Sequence, residues 1–118
     1  MLEVKNLGTP DDHRVFPNGQ LDVVTVGAMT FGFATFEPGW RWTQSLRSIV
    51  GTDTCQAAHN GYCASGSMHI LMDDGTESDI GPGDAFVISP GHDAWVTGNE
   101  PCIAYDFSGY ANYAKPQE

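Results

Sequence analysis

The chain has 118 residues, of which 15 are Asp or Glu and 5 are Lys or Arg, so its formal net charge is -10. This length allows one domain with one core that needs neither disulfides nor a structural metal. The acidic charge argues against binding to nucleic acid or to an anionic membrane surface, because both require a basic face. With 41% hydrophobic and 17% charged residues, the composition is typical of a folded protein.

The sequence also predicts where the protein is found. No stretch reaches the roughly 20 consecutive apolar residues of a membrane helix, and the first residues lack the apolar run of a secretory signal. Its three cysteines, Cys55, Cys63 and Cys102, are irregularly spaced, which favours reduced thiols over a secreted disulfide framework. We therefore predict a single domain, 1–118, in the cytoplasm, with a small-molecule ligand and with neither a nucleic-acid nor a membrane partner.

Along the chain, 14 glycines and 7 prolines are spread so evenly that a long helix is not expected. Short runs of β-branched and aromatic residues alternate with turn signals, which predicts an all-β sandwich or barrel. Residues 1–20 are predicted to form an N-terminal arm and residues 109–118 a C-terminal tail. Strands are predicted at 21–26, 28–36, 40–43, 46–50, 53–59, 61–65, 67–72, 76–80, 84–88, 93–97 and 101–107.

Three turns are predicted between the later strands, at Asp73–Thr76, Gly81–Asp84 and Ser89–Gly91. Gly75 supplies the positive φ that a tight hairpin turn requires. Five acidic residues lie between positions 73 and 84, but they lack the spacing of a calcium-binding loop. We interpret them as a solvated, charged hairpin that discourages edge-to-edge aggregation.

Two glycine-framed segments stand out between residues 53 and 99. The first ends at Gly66, and the second runs from Gly83 to Gly91 with Pro90 before its last glycine. Together with Phe36–Trp42, they resemble the two sequence motifs of small single-domain cupins. The resemblance implies an all-β fold, the cupin double-stranded β-helix or jelly-roll barrel, over most of the chain. It also implies a homodimer.

The same resemblance places the metal-ligand positions of cupins on changed residues. Two histidine positions and the glutamate position fall on Asp53, Cys55 and His59, and the last histidine position falls on Ala94. Carboxylate, thiolate and imidazole are still metal ligands. His92, two residues before Ala94, faces the same interior if its strand is regular. The predicted metal ligands are therefore His59, His92, Asp53 and Cys55, with one divalent metal (Fe, Zn, Mn or Ni) or none.

The candidate catalytic residues are His59, His92 and Cys55, because imidazole transfers protons near neutral pH and a thiol can act as ligand or nucleophile. In the alternative interpretation, His59 is hydrogen-bonded inside the barrel, His92 is an exposed loop residue and Cys55 is a small buried apolar group. The candidate substrate-binding residues are aromatic, since ligand cavities are mostly apolar: Trp40, Trp42, Tyr62, Trp95, Tyr105 and Phe107. The same side chains can instead form core or a dimer interface.

The remaining arginines and histidines have simpler expected roles. Arg41 and Arg47 can hold a substrate carboxylate, although pairing with acidic side chains is the expected role in so acidic a chain. His13 lies in an acidic turn region and His69 on a strand beside the predicted hairpin, and neither is expected to be functional.

Two functions are compatible with these residues. The first is a cupin-type enzyme that binds a small organic molecule in the barrel and uses His-centred acid/base or metal-assisted chemistry of the oxygenase, isomerase, cyclase or lyase type. The second is a non-catalytic cupin without metal that binds or senses a small ligand. Ala94 favours the second, because loss of the second-motif histidine often accompanies loss of metal chemistry.

Overall fold

The computed structural model describes residues 1–107 and 115, so the predicted C-terminal tail lies outside the described residues except for Lys115. Two antiparallel sheets face each other, one with the strand order β1-β2-β3-β9-β4-β7 and one with the order β6-β5-β8. The elements in chain order are β1 (Asp12–Phe16), β2 (Gly19–Val26), β3 (Met29–Phe36), α1 (Trp42–Ser45), α2 (Arg47–Val50), β4 (His59–Ser65), β5 (Ser67–Met72), β6 (Glu77–Ile80), β7 (Ala85–Ile88), β8 (His92–Thr97) and β9 (Cys102–Asp106).

The all-β prediction is confirmed, but three of the predicted strands are wrong. The short helices α1 and α2 overlap segments 40–43 and 46–50, and within 53–59 only Cys55 forms an isolated bridge before β4 begins at His59. Tertiary contacts explain α1: the Asp93 carboxylate accepts hydrogen bonds from the backbone N–H and the hydroxyl of Thr43 in its first turn. Sequence periodicity carries no sign of that contact, since Asp93 comes from a distant strand.

One strand was not expected from the sequence. β1 lies inside the predicted N-terminal arm and pairs with β2 as a tight hairpin, in which Phe16 is opposite Gly19. Asn18 takes a positive φ of 60° in the turn, a conformation that Asn tolerates better than most residues. The predicted turns are present as well, with Gly75, Gly83 and Gly91 at positive φ.

The core lies between the two sheets. On β9, Cys102, Ala104 and Asp106 are buried while the residues between them are less so, which is the period-two pattern of a strand with one face inward. The largest buried side chains are Trp40 and Trp42, next to and within α1, so this helix closes part of the barrel. Among residues 1–107 and 115, no helix is long and apolar enough to cross a membrane.

Candidate functional site

Three potential metal ligands meet in the barrel interior. The Cys55 thiol and the imidazoles of His59 and His92 each offer a donor atom, and these atoms lie within 4.8 Å of one another. Cys55 Sγ is 3.7 Å from His59 Nε2. All three residues are buried, with 3%, 7% and 3% of their surfaces exposed. Polar side chains buried this deeply need either mutual partners or a ligand.

Backbone hydrogen bonds bring Cys55 beside His92. The Cys55 N–H donates to the His92 carbonyl at 2.8 Å, and the Gly91 N–H donates to the Cys55 carbonyl at 2.7 Å. Gly91 has a φ of 91°, so the chain turns sharply just before β8 and His92 becomes the first residue of that strand. Cys55 thus reaches the site by an isolated bridge and not by a continuous strand.

A carboxylate that the sequence analysis did not identify orients His59. Strands β4 and β9 are antiparallel neighbours with Gly61 opposite Asp106, so His59 and Asp106 are diagonal neighbours on the inner face. Asp106 is 1% exposed, and its Oδ2 lies 2.6 Å from His59 Nδ1. A Cβ at Gly61 would lie 1.8 Å from the Tyr105 carbonyl oxygen, so only glycine allows these strands to approach so closely.

Hydrogen-bond partners also identify the tautomer of each histidine. The Ser89 carbonyl oxygen, 2.9 Å from His92 Nδ1, can only accept, so His92 donates from Nδ1. By the same reasoning, the Asp106 carboxylate accepts a hydrogen bond from Nδ1 of His59. In the neutral form of each ring, the lone pair is therefore on Nε2, and that is the atom a metal ion requires.

Burial keeps Cys55 and His92 uncharged. Desolvation raises the pKa of the Cys55 thiol to about 12, with the Asp106 and Asp93 carboxylates acting in the same direction. Desolvation also lowers the pKa of His92, and the nearby His59 adds to this effect. Cys55 is therefore a thiol and His92 a neutral imidazole near neutral pH unless a cation enters the site.

The two histidines line a small apolar cavity with a volume of about 30 Å³. This is enough for water but far below the roughly 300 to 1,000 Å³ of typical small-molecule pockets. The Trp40 indole N–H belongs to a lining side chain that is 2% exposed, and it has no hydrogen-bond partner among the described residues. The lining residues are Phe36, Trp40, Trp42, His59, Met68, Ile70, Ile80, Phe86, Ile88, His92, Ala94 and Ala104.

Of the predicted metal ligands, Asp53 does not join the others. Its side chain is 93% exposed and pairs with Arg47 at 3.0 Å. The prediction placed Asp53 and Cys55 on one strand face, but residues 53–57 do not form a strand, so the alternation does not apply. Arg47 therefore takes the expected pairing with an acid, and Arg41 likewise pairs with Asp93 at 2.8 Å.

The predicted aromatic residues divide between two faces. Trp40 and Trp42 line the cavity. The other four do not line it, because they alternate with inward-facing neighbours and lie on outer faces of the sheets: Tyr62, Trp95, Tyr105 and Phe107. Tyr62 stacks on Tyr105 at 5.1 Å, and Trp95 packs against His69. Their role in substrate binding stays a prediction, and Tyr105 and Phe107 line a separate cavity of about 320 Å³.

The residues expected to be non-functional lie away from the site. His13 pairs with Asp22 on the neighbouring strand β2, and both side chains are partly exposed. His69 lies between Asp79 and Glu77 of β6, and these carboxylates raise its pKa. Both histidines are therefore paired with acids on the outside of the sheets.

Cys55, His59 and Asp106 are arranged in the order of a nucleophile, a base and an orienting acid. Covalent catalysis requires a thiolate and space for a substrate beside it. Cys55 is a buried thiol with its pKa raised to about 12, and the neighbouring cavity has a volume of only about 30 Å³. The raised pKa and the small cavity disfavour Cys55 as an unassisted nucleophile, whereas a bound cation would itself lower the pKa of the thiol.

Comparisons with known proteins agree with this architecture. No protein-family model and no curated protein matches the sequence. Solved structures that resemble it include KdgF from a Halomonas species, with 21% identity, a TM-score of 0.55, and coverage of 79% of this chain and 82% of that one. A cupin-like protein from Thermotoga maritima has 14% identity and a TM-score of 0.56, covering 81% and 72%. A cupin-2 domain protein from Rhodospirillum rubrum has 17% identity and a TM-score of 0.56, covering 90% and 66%.

These likenesses establish the fold and confirm the expectation drawn from the two glycine-framed motifs. The protein is a small cupin-fold β-barrel with two antiparallel sheets. Fold alone does not determine function, so the function has to be argued from the residues in the barrel.

Proposed function

We propose that this protein is a metal-dependent enzyme acting on a small organic molecule, with Cys55, His59 and His92 as the ligands of one divalent cation. The observation that carries the proposal is the buried cluster of three donor atoms within 4.8 Å of one another. Three protein ligands and one open position are typical of catalytic metal sites, whereas structural zinc sites use four protein ligands.

The donor set fits some of the predicted metals better than others. A thiolate with two imidazoles is a soft-to-borderline set that suits zinc and is less suited to manganese, which prefers oxygen ligands. The exposed position of Asp53 removes the carboxylate that would favour non-haem iron. We therefore place zinc first among Zn, Fe, Ni and Mn.

A bound divalent metal would supply Lewis acidity and lower the pKa of a coordinated water. The protein's own residues would orient the ligands and exclude bulk water. The apolar cavity beside the cluster has a volume of about 30 Å³, and the Trp40 N–H offers a donor to an acceptor atom there. A substrate larger than this must displace lining side chains, and Phe86 is a partly exposed one.

The reaction classes that we propose are those of small-molecule acid/base or metal-assisted chemistry: oxygenase, isomerase, cyclase or lyase. The partner is a small molecule, and we retain the homodimer as a prediction that solution size measurements test. The three free cysteines lie within the described residues, and a site that uses a reduced thiol favours the cytoplasm.

Metal content and thermal stability test the proposal. We expect purified protein to carry close to one metal ion per chain, and metal-free protein to gain thermal stability from zinc more than from iron, nickel or manganese. At a hundred times the dissociation constant, binding adds about 2.7 kcal/mol to the free energy of unfolding. His59→Ala and His92→Ala should abolish this gain, whereas His69→Ala, which removes an imidazole from the outer face, should keep it.

The second candidate is a cupin-fold protein without metal that binds or senses a small ligand. Two observations favour it: Ala94 lines the cavity where the motif has a histidine, and the cavity is small. Protein without metal, and without a thermal shift for any of the four metals, would support this candidate and reject the metalloenzyme.

A further inference from the structure

We infer that Asp106 is a positioning residue that fixes the tautomer and the orientation of His59 for metal binding. This inference rests on the proposed metal site at Cys55, His59 and His92 and adds a residue outside its ligand set. Metal-binding histidines usually donate their second ring N–H to a carboxylate or carbonyl, and loss of that partner typically costs 10-fold to 100-fold in metal affinity.

The geometry supports a specific role for Asp106. Its carboxylate is 1% exposed, and it lies 2.6 Å from Nδ1 of His59. With the proton held on Nδ1, the lone pair of Nε2 faces Cys55 Sγ, 3.7 Å away. If the imidazole carried its proton on Nε2 instead, the proton would occupy the position that the metal needs.

Comparison of the two histidines shows what a carboxylate adds. His92 donates from Nδ1 to the Ser89 carbonyl, a neutral acceptor, and this already selects the useful tautomer. His59 has a carboxylate in the same position, and a carboxylate partner makes an imidazole a stronger ligand than a carbonyl does. Within the site, His59 is therefore the histidine that Asp106 makes a stronger metal ligand.

Charge balance points in the same direction. A thiolate at Cys55 and the carboxylate at Asp106 contribute two negative charges, and the two neutral imidazoles contribute none. A divalent cation brings the sum to zero, which matters because an uncompensated charge in a buried site is costly. Without the carboxylate, the occupied site would carry one net positive charge.

The test uses full-length Asp106→Asn protein, because Asn keeps the shape and removes the charge. Asp93→Asn is the matched control: Asp93 is also buried, but its recorded hydrogen bonds go to Arg41, Thr43 and Ala94 and not to a ligand. Zinc affinity is measured by competition with a chromophoric chelator. Nitrogen-15 NMR of the metal-free proteins reports which ring nitrogen of His59 carries the proton.

We expect wild-type His59 to carry its proton on Nδ1. Asp106→Asn should bind zinc about 10-fold to 100-fold more weakly, and a larger fraction of its His59 should carry the proton on Nε2. Asp93→Asn should keep the wild-type tautomer of His59 and change the zinc affinity much less than Asp106→Asn does. Unchanged zinc affinity in Asp106→Asn, or an Nε2–H tautomer in the wild type, would overturn the inference.

If Asp106→Asn fails to fold, the NMR measurement on wild-type protein still tests the inference, because a proton on Nε2 of His59 would overturn it. If wild-type protein binds no zinc, the proposed metal site fails, and the metal role of Asp106 fails with it. If wild-type protein binds zinc and Asp106→Asn binds it equally tightly, only the role of Asp106 fails. The two failures are therefore distinguishable.

Discussion

At the scale of single residues, burial determines how the three cysteines behave. Desolvation raises the pKa of Cys55 and Cys102 to about 12 and also raises that of Cys63. Because the thiolate is the reactive form, a buried thiol with a raised pKa reacts slowly with electrophiles.

We therefore predict that Ellman's reagent finds close to no reactive thiol in the native protein and three per chain in denaturant. The measurement is the absorbance of the released thionitrobenzoate, in metal-free protein so that metal protection cannot contribute. Rapid reaction of one equivalent under native conditions would show that one of the three cysteines is more accessible than its burial indicates.

A second prediction separates Cys55 from the other cysteines. If Cys55 is a metal ligand, Co²⁺ bound in place of zinc should show thiolate-to-metal charge-transfer absorption in the near ultraviolet. Cys55→Ser should lose this band and bind metal more weakly, because a hydroxyl is a poorer ligand than a thiolate. Cys63→Ser is the matched control, since Cys63 is also buried but contacts Cys102 and not the histidines. A band that survives Cys55→Ser would contradict thiolate ligation.

At the scale of elements, close approach between strands places the site. Strand β4 is in register with β9 until a shift between Cys63 and Ser65, and the chain then turns at Gly66. Gly66 has a φ of 72°, and a Cβ there would lie 2.1 Å from the Pro101 carbonyl oxygen. Gly75, in the β5–β6 turn, has a similar φ of 90° but open space around it.

This difference gives a third prediction. Gly75→Ala should cost about 1 kcal/mol of the free energy of unfolding, from backbone strain alone. Gly66→Ala adds a clash with backbone atoms that cannot move without disturbing β9, so it should cost about 2 kcal/mol more. Urea denaturation measures the free energy of unfolding of both variants. Equal decreases would show that the structure relieves the clash at Gly66 without losing stability.

Elements also show where prediction from sequence reaches its limit. The strands that alternate regularly, such as β5 and β9, were predicted within a residue or two because one face is buried and the period is visible. The segments 40–43 and 46–50 were mistaken for strands, since what holds α1 is the distant Asp93 carboxylate. The glycine frame predicted the fold because turns with positive φ restrict the residue type strongly.

For the candidate site, too, the sequence indicates some of the residues and not others. Cys55 and His59 were named from their motif positions and His92 from its place two residues before Ala94, and the structure brings all three together. Asp53 was named on the same grounds, but it lies outside because the strand assumed for it does not exist. Asp106 was missed because its role depends on the pairing of β4 with β9, strands separated by more than 35 residues. Its only sequence signal is an acidic residue at an inward position of a strand.

At the scale of the whole molecule, the charge of -10 is distributed mainly over the outside. Asp74, Glu77 and Asp79 of the acidic hairpin are exposed, whereas inside the barrel burial disfavours the charged forms of His92 and Cys55. Folding therefore moves His92 from water into an apolar interior, and this transfer makes stability depend on pH.

The direction of this dependence follows from proton linkage. Burial lowers the pKa of folded His92 below its ordinary value of 6.5. As the pH falls through about 6.5, the unfolded chain takes up a proton at this residue while the folded protein does not. The unfolded state then binds more protons, so the contribution of His92 to stability is complete above that pH and is lost as the pH falls toward the lowered pKa.

We predict that the free energy of unfolding of metal-free protein falls between pH 7 and pH 5 and that His92→Gln reduces the fall. His69 has the opposite sign: Asp79 and Glu77 raise its pKa, so its contribution is present at low pH and is lost as the pH rises through the raised value. His69→Gln should therefore make the fall steeper. Urea denaturation at half-unit pH intervals measures all three slopes. Equal slopes for wild type and His92→Gln would show that His92 is not held neutral by burial, and the cavity would then have to admit water to the site.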